Sequence, residues 1–524
     1  MAIITFVSRI LGMVRDSSFA FFFGAGEISD AWNIAFMIPN LSRRLFGEGA
    51  ASASFIPVYK QELTRDPIAA KRFADTAVSV IAAILVLMVL AGWLIMGTCS
   101  VFTERSETRL IMGLTSLMLP YMVMICVTAI LSGILNVHNH FAAPAAAPIV
   151  WNIYTIAATV IAGKLLNIPP STQLYIVAAA TLLSGITQYT MQVTPLKNLG
   201  IAPSFAWDIR SDALKKMMLM MGPMIIGMAM TQINTLAGSI IAKIFSSSPE
   251  KGEFFMFLSA KIAYPLQSGS VTHLSYAQRL YQFPLGVLGI SLATAIFPVL
   301  SASAAIGDYE TLRKTVARGI KGAIAIAMPA TIGLIVASNL IISVLFQHGK
   351  FDANSTHLTS FALSMYSVGL CGYFSQQILT RAFYSMQDSS MPAKSAIIAV
   401  CTNLVLNLTL IWVMGTAGLA LSTALCSYLQ VAILTFVLRR KFGHKVLEGL
   451  VLVLIKTSVA GGIMAVSAIA VMKMLSGMEP GFWNNVIKLI IVLLTSSVVY
   501  IALAYVMKIR ELTDMIRIKL VRRG

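Results

Sequence analysis

Apolar runs of about 20 residues, separated by short polar connections, recur from one end of this chain to the other. A run of that length crosses the roughly 30 Å hydrocarbon core of a bilayer as a helix. About 14 segments fit, at 2–24, 29–59, 73–98, 110–136, 143–163, 173–194, 215–242, 272–301, 320–346, 357–386, 393–413, 417–438, 451–473 and 484–507. The second, seventh and eighth are the least apolar. The pattern predicts an all-α integral membrane protein that crosses the bilayer many times.

The polar connections alternate in charge. Those after even-numbered segments hold most of the basic residues, among them Lys60, Arg65, Lys197, Arg210, Arg313, Lys314, Arg439 and Arg440, and so does the C-terminal tail. The bias over the odd connections is about three to one, which places the even side and both termini in the cytoplasm. The whole chain is 57% apolar and 11% charged, against about 25% charged in soluble proteins. Its net charge of +18 therefore reads as membrane topology rather than nucleic-acid binding. Arg9 and Arg15 interrupt the first apolar run, so a cleaved signal peptide is not expected.

An internal repeat is visible. Arg44-Leu45-Phe46, followed by Phe55-Ile56-Pro57-Val58, resembles Arg279-Leu280-Tyr281 followed by Phe297-Pro298-Val299. Pro144-Ala145 with Asn152 resembles Pro392-Ala393 with Asn403. Two six-helix halves in one orientation are a transporter architecture with its site between the repeats. The expected organisation is an N-terminal lobe over 1–200, a C-terminal lobe over 201–446, and an appended helical hairpin with a basic tail over 447–524.

Charges far from span ends stand out, because each costs about 2.5–3.5 kcal/mol to insert and usually faces an interior cavity. They cluster as Arg9, Arg15 and Asp16 in the first segment and as Asp30, Arg43, Arg44 and Glu48 in the second, with Arg279 in the eighth. Arg44 and Glu48, four apart on a helix, are expected to pair. Arg381, near a cytoplasmic end, is expected to snorkel. Arg9, Arg15, Arg43 and Arg279 then outnumber the remaining acids Asp16 and Asp30, and a surplus of arginine in a cavity suits an anion. Guanidinium forks onto phosphate or carboxylate with two parallel bonds at any relevant pH, so four of them suit a diphosphate. Gln232 and Asn234 in the seventh segment either line the cavity or bond between helices.

Other chemistry is absent from the pattern. The five cysteines show no ligand spacing and the six histidines no metal-binding cluster, so no metal site is expected. No GxxxxGK[ST] loop, nucleophile–base pair or carboxylate dyad occurs, so no enzyme is expected.

The stretches SRILGMVRD and FGAGEISDAWNIAFMIPNLSRRLFGEGAASASFIPVY closely resemble the N-terminal signature of the MurJ family of lipid II flippases. GILNVHNHFAAPAAAPIVWNI, QRLYQFPLGVLGISLATAIFPVLS, LFQHGKFD and AFYSMQDSSMPAKSA match its later landmarks in order. The resemblance covers nearly the whole chain. It implies the fold of the multidrug/oligosaccharidyl-lipid/polysaccharide exporter superfamily: two six-helix lobes in a V, like the MATE transporters, working by alternating access. The hairpin at 451–507 takes the place of the family's two extra helices, a groove for the lipid tail. The family's cavity arginines map onto Arg9, Arg15, Arg43 and Arg279, and its acidic and polar partners onto Asp16, Asp30, Asn40 and Glu48.

The implied substrate is lipid II, flipped across the bacterial inner membrane for peptidoglycan synthesis by a monomer. No cofactor is implied; the implied driving force is the membrane potential, with a monovalent ion in some members. Membrane lipids and cell-wall synthesis proteins are the other implied partners. Gln278 and Gln282 flank Arg279 where some relatives carry acids, and the seventh segment lacks an aspartate used for sodium elsewhere, both of which weigh against sodium coupling. The chain begins eight residues before Arg9, a shorter lead than in relatives, so the first helix is expected to lack part of its cytoplasmic end. The rival readings are a flippase for another polyprenyl-diphosphate-linked oligosaccharide, a cation-coupled multidrug exporter, which should carry a cavity acid without an arginine excess, and a membrane scaffold for cell-wall enzymes.

Overall fold

The computed structural model describes residues 2–47, 50–166, 168–258, 260–443, 447–479, 481–509 and 511–512. Within them the chain is helical almost throughout, as lipid requires: a backbone without water must satisfy its polar groups internally. Seventeen α-helices run in order: α1 (Ala2–Phe23), α2 (Glu27–Ser42), α3 (Ala50–Arg65), α4 (Pro67–Val101), α5 (Ser106–Val137), α6 (Ala142–Lys164), α7 (Pro170–Asn198), α8 (Asp212–Ile244), α9 (Ser270–Pro284), α10 (Ile290–Ala305), α11 (Tyr309–Phe346), α12 (Ala353–Val368), α13 (Leu370–Ser385), α14 (Ser390–Met414), α15 (Thr416–Phe442), α16 (Leu450–Met474) and α17 (Phe482–Val506).

Ten helical stretches among the described residues are long and apolar enough to cross a membrane. The other four expected segments also fall on helix. α1 carries Arg9, Arg15 and Asp16; α2 and α3 are parted by an irregular turn; α8 is rich in methionine and polar residues; α12 and α13 are separated at Gly369. Length and composition therefore do not by themselves give the number fourteen.

Two π-turns interrupt the helices. One spans Arg43–Gly47 between α2 and α3, and the other spans Leu285–Gly289 between α9 and α10. Each sits just after a proline (Pro39 and Pro284), whose ring cannot donate to the helical ladder. The two occur in the expected second and eighth segments, which also carry Arg43, Arg44 and Arg279. α6 and α14 repeat a second feature: each buries an asparagine, Asn152 and Asn403.

One element departs from the all-helical expectation. In the connection after α8, β1 (Phe254–Phe257) pairs antiparallel with β2 (Ala260–Ala263), with Phe254 opposite Ala263. The stretch FFMFLSAKIA is short, and its β-prone aromatics carry no helical stripe.

The chain forms two compact units. The first holds Met1–Leu236 with the short connecting segments Ser248–Gly252 and His348–Phe351; the second holds the rest. In the first, α5 packs against α2, α4 and α7, and α6 packs against α1 and α7. Its core runs from Phe55 and Tyr59 through Phe73 and Ile81 to Met122 and Ile130. In the second, α11 packs against α12, α13 and the α16–α17 pair. The hydroxyl of Tyr500 donates to the carbonyl of Ala325 at 2.9 Å, tying α17 to α11.

Candidate functional site

The first unit encloses a cavity of about 400 Å³ bounded by α1, α2, α3, α5, α6, α7 and the first π-turn. The charged side chains lining it are Arg15 and Arg43, both cations.

Arg15 is fixed from three sides. Its Nε and Nη2 donate to Asp16 Oδ1 at 3.0 and 2.8 Å, and its Nη1 donates to Asn152 Oδ1 at 3.0 Å. Its guanidinium lies 4.0 Å over the centroid of Trp151. Trp151 in turn stacks on Phe36 at 5.2 Å and 8°, and Phe36 on Trp32 at 6.0 Å and 3°. A ladder of three aromatic planes from α2 and α6 thus carries the arginine. Asn152 closes the arrangement by donating from Nδ2 to the carbonyl of Ser8, which binds α6 to α1. Cation–π contact of this kind strengthens as it is desolvated, and the Arg15 side chain is only 12% exposed.

Arg43 sits in the π-turn, and its Nε and Nη2 donate to Asn40 Oδ1 at 3.2 and 2.8 Å. Asn40 is neutral, so this contact orients Arg43 without cancelling its charge. The next residue, Arg44, donates to Gln232 Oε1 at 3.2 Å, a bond from the π-turn to α8. Asn234 lies half-buried on α8, its Oδ1 without a partner among the described residues.

The remaining candidate positions lie elsewhere. Arg9 is on an exposed face of α1. Asp30 is fully buried near the start of α2; with Glu27 it raises the proton affinity of Lys251, which burial and Arg105 hold below the usual lysine range. Arg279 is half-buried on α9 of the second unit, with Gln278 beside it. Glu48, and with it the expected pair with Arg44, falls outside the described residues. Among the described residues no group of three or more His, Cys, Asp or Glu could hold a metal ion.

Several lining residues were not expected at a site from the sequence: Trp151, Asn152, Phe36, Tyr121, Thr128 and Asn136. The available signal was the pair WN inside the apolar run IVWNIYT, an amide in a lipid-facing stretch. The second unit holds a wider cavity of about 1260 Å³ at the ends of α10, α11, α13 and α15, but Arg313, Lys441 and Glu310 give it mixed charge.

The model of one protein family, described as lipid II flippase MurJ, matches residues 19–494. A relative from Burkholderia cenocepacia named "Lipid II flippase MurJ" is 30% identical over 450 residues, 83% of this chain and 82% of that protein. A solved structure of a lipid II flippase MurJ in an inward closed conformation shares the fold with a TM-score of 0.76 at 23% identity, over 96% of this chain and 98% of the other. An inward-facing MATE multidrug transporter of the MOP superfamily shares it with a TM-score of 0.62 at 14% identity, over 84% and 98%. A family match across nearly all of a multi-spanning, arginine-bearing helical chain makes this protein a member of the lipid II flippase MurJ family, a family of transporters and not of enzymes.

Proposed function

We propose that this chain carries lipid II from the inner to the outer leaflet of the bacterial cytoplasmic membrane by alternating access, its arginines holding the diphosphate. The observation that carries the proposal is the cavity of the first unit, whose charged lining is arginine alone. A cation would be repelled there, which disfavours the multidrug-exporter reading. A phosphate would meet a guanidinium already oriented by Asp16, Asn152 and Trp151. Binding to a prepared group loses less side-chain freedom, the general advantage of preorganisation.

In this reading Arg15 and Arg43 make the first contacts, and Arg9 and Arg279 complete the set of anion ligands. Asp16, Asn40 and Gln232 hold arginines in position, while Asp30, Glu48 and Asn234 serve as supporting polar groups. The lobes are 1–200 and 201–446. The α16–α17 hairpin shelters the polyprenyl tail in the bilayer, and its outward Leu, Ile and Val side chains suit that role. Both termini face the cytoplasm, by the distribution of Lys and Arg. Membrane potential, with or without a monovalent ion, drives the monomer.

The test is complementation of a bacterium depleted of its own flippase, comparing wild type with Arg15→Ala and Arg43→Ala at matched membrane levels. Growth and labelling of lipid II on the outer face are read together. Wild type should restore both and the variants neither. Variants that restore both as well as wild type does would overturn the arginine assignment.

A further inference from the structure

The hairpin in the connection after α8 has two unlike faces. Residues paired across two strands share a face, and successive residues alternate between faces. Phe255 and its partner Ile262 are half-buried, whereas Phe254 with its partner Ala263, and Met256 with its partner Lys261, are exposed. Rings fix the inner face: Phe255 lies 5.1 Å from Tyr264 and 6.3 Å from Trp412, and Phe245 lies 5.8 Å from Trp412. The outer face is apolar, with Phe254 44%, Met256 68% and Leu258, at the tip, 88% exposed. Leu258 also has φ +44°. A turn in water fills such a conformation with Gly, Asn or Asp; a bulky aliphatic side chain there calls for an apolar surface to receive it.

Trp412 tells which surface that is. It closes a stripe of exposed side chains along α14, namely Cys401, Val405, Leu408 and Trp412, opposite the buried Asn403, Asn407 and Ile411. Steps of four, three and four residues stay on one helical face. α14 is long and apolar enough to cross the membrane, so this stripe faces lipid. Trp412, two residues before the end of α14, stands at the bilayer boundary, where tryptophan concentrates. A hairpin packed on that ring meets the membrane from its lipid side. The backbone sets the depth. Each strand of a two-stranded sheet leaves one edge of N–H and C=O groups unpaired, and hydrocarbon does not tolerate an open edge. The strands therefore lie among headgroups, and only the outer side chains reach the acyl chains. Lys261, the one charge between Phe254 and Ala263, has its ammonium 4.4 Å from the centroid of the Phe254 ring. Its long stem lets that charge reach back to a phosphate.

We propose that β1–β2 is an interfacial anchor: Phe254, Met256 and Leu258 insert into the outer leaflet and Lys261 meets its phosphates, which holds the α8–α9 connection on the membrane surface. The choice of leaflet rests on the orientation inferred above from Lys and Arg. Glu250, four residues before β1, accepts from the Ser106 amide at 3.1 Å, so the hairpin lies on the same side of the membrane as the α4–α5 connection.

The experiment uses the full-length protein in nanodiscs of phosphatidylcholine and phosphatidylglycerol, with the exposed Cys99 and Cys401 replaced by serine. Met256→Cys and Leu258→Cys each carry an environment-sensitive fluorophore; both positions are exposed, so neither change removes packing. Quenching by lipid doxyl-labelled near the headgroup end of its acyl chain is compared with quenching by aqueous iodide. Both positions should show blue-shifted emission, strong quenching by the lipid and little by iodide. Strong iodide quenching with no lipid quenching at both positions overturns the anchor, and is the result expected of a face kept for a soluble protein partner. Sidedness is read separately, with a membrane-impermeant maleimide on spheroplasts that carry Glu104→Cys in the α4–α5 connection. Labelling of intact spheroplasts supports the outer leaflet. Labelling only after lysis overturns the orientation and the outer-leaflet assignment with it, while the quenching result decides insertion on its own.

Discussion

Asn152 offers a direct test of whether Arg15 is held in place for an anion. Asn152→Ala removes two contacts: the acceptor for Arg15 Nη1 at 3.0 Å and the donor to the Ser8 carbonyl at 3.1 Å. Hydrogen bonds between membrane helices average only about 0.6 kcal/mol, with a maximum near 1.7. The α1–α6 tie to Ser8 is of that kind, so its loss should lower Tm modestly. The bond to Arg15 involves a charge and is worth about 1.5–3 kcal/mol. The lower end applies, because Asp16 and Trp151 still hold the guanidinium. About 1.4 kcal/mol of lost binding is tenfold in affinity for a polyprenyl diphosphate. Asn152→Asp gives a sharper contrast. It keeps an acceptor of the same shape and adds a carboxylate. At roughly 6 Å from a bound phosphate and an effective dielectric of ~20, that charge opposes binding by about 3 kcal/mol, on the order of a hundredfold. Affinity in nanodiscs and outer-face lipid II labelling both check this. If Asn152→Ala binds within twofold of wild type and Asn152→Asp binds no worse than Asn152→Ala, Arg15 does not serve an anion from this position.

Two further predictions concern the frame around the site. Gly24 has φ +67°, and a Cβ there would lie 2.6 Å from the backbone oxygen of Lys350; Gly24→Ala should therefore cost about 1–2 kcal/mol for the left-handed backbone alone, seen as a lower Tm, while Gly26→Ala, with open space around it, should be near neutral. Asp352 caps α12 by accepting from the Ser355 amide at 2.7 Å, a bond that holds its carboxyl below the usual carboxylate range. A depressed folded-state value means that the cap contributes above the unfolded value near ~3.9 and is lost as pH falls through the lower folded value. The Tm gap between wild type and Asp352→Ala should therefore be full at pH 7 and shrink in acid, whereas Asn, a capping residue that does not titrate, should leave no such pH dependence.

Much of the membrane architecture was legible because the bilayer imposes it locally. Twenty apolar residues in a row specify a spanning helix without reference to any other part of the chain, and among the described residues each expected segment falls on helix. The intramembrane arginines were legible for the same reason, since a charge in an apolar run is too costly to leave facing lipid. What each arginine touches was not. Asp16 accepts from Arg15, its immediate neighbour, a contact that helical spacing does not single out. Arg44 reaches Gln232, 188 positions away, a partner no local rule supplies. The Trp32–Phe36–Trp151 ladder joins two helices distant in sequence, and aromatic residues in apolar runs look alike whether they face lipid or support a charge. The β1–β2 hairpin was missed because four-residue strands in a connecting loop leave no periodic trace.

The π-turn at Arg43–Gly47 also changes how positions along that segment must be counted. A π-turn holds one residue more than an α-turn. Each residue of an α-helix advances about 100° around the axis. The faces of α9 and α10, on either side of Leu285–Gly289, are therefore out of phase by that angle. A helical wheel drawn unbroken through that segment assigns the inward side correctly on one flank and turns it toward the membrane on the other. Arg43 and Arg44 stand in the other π-turn. Two adjacent guanidinium groups can thus take the separate directions they do, one to Asn40 on its own helix and the other to Gln232 on α8.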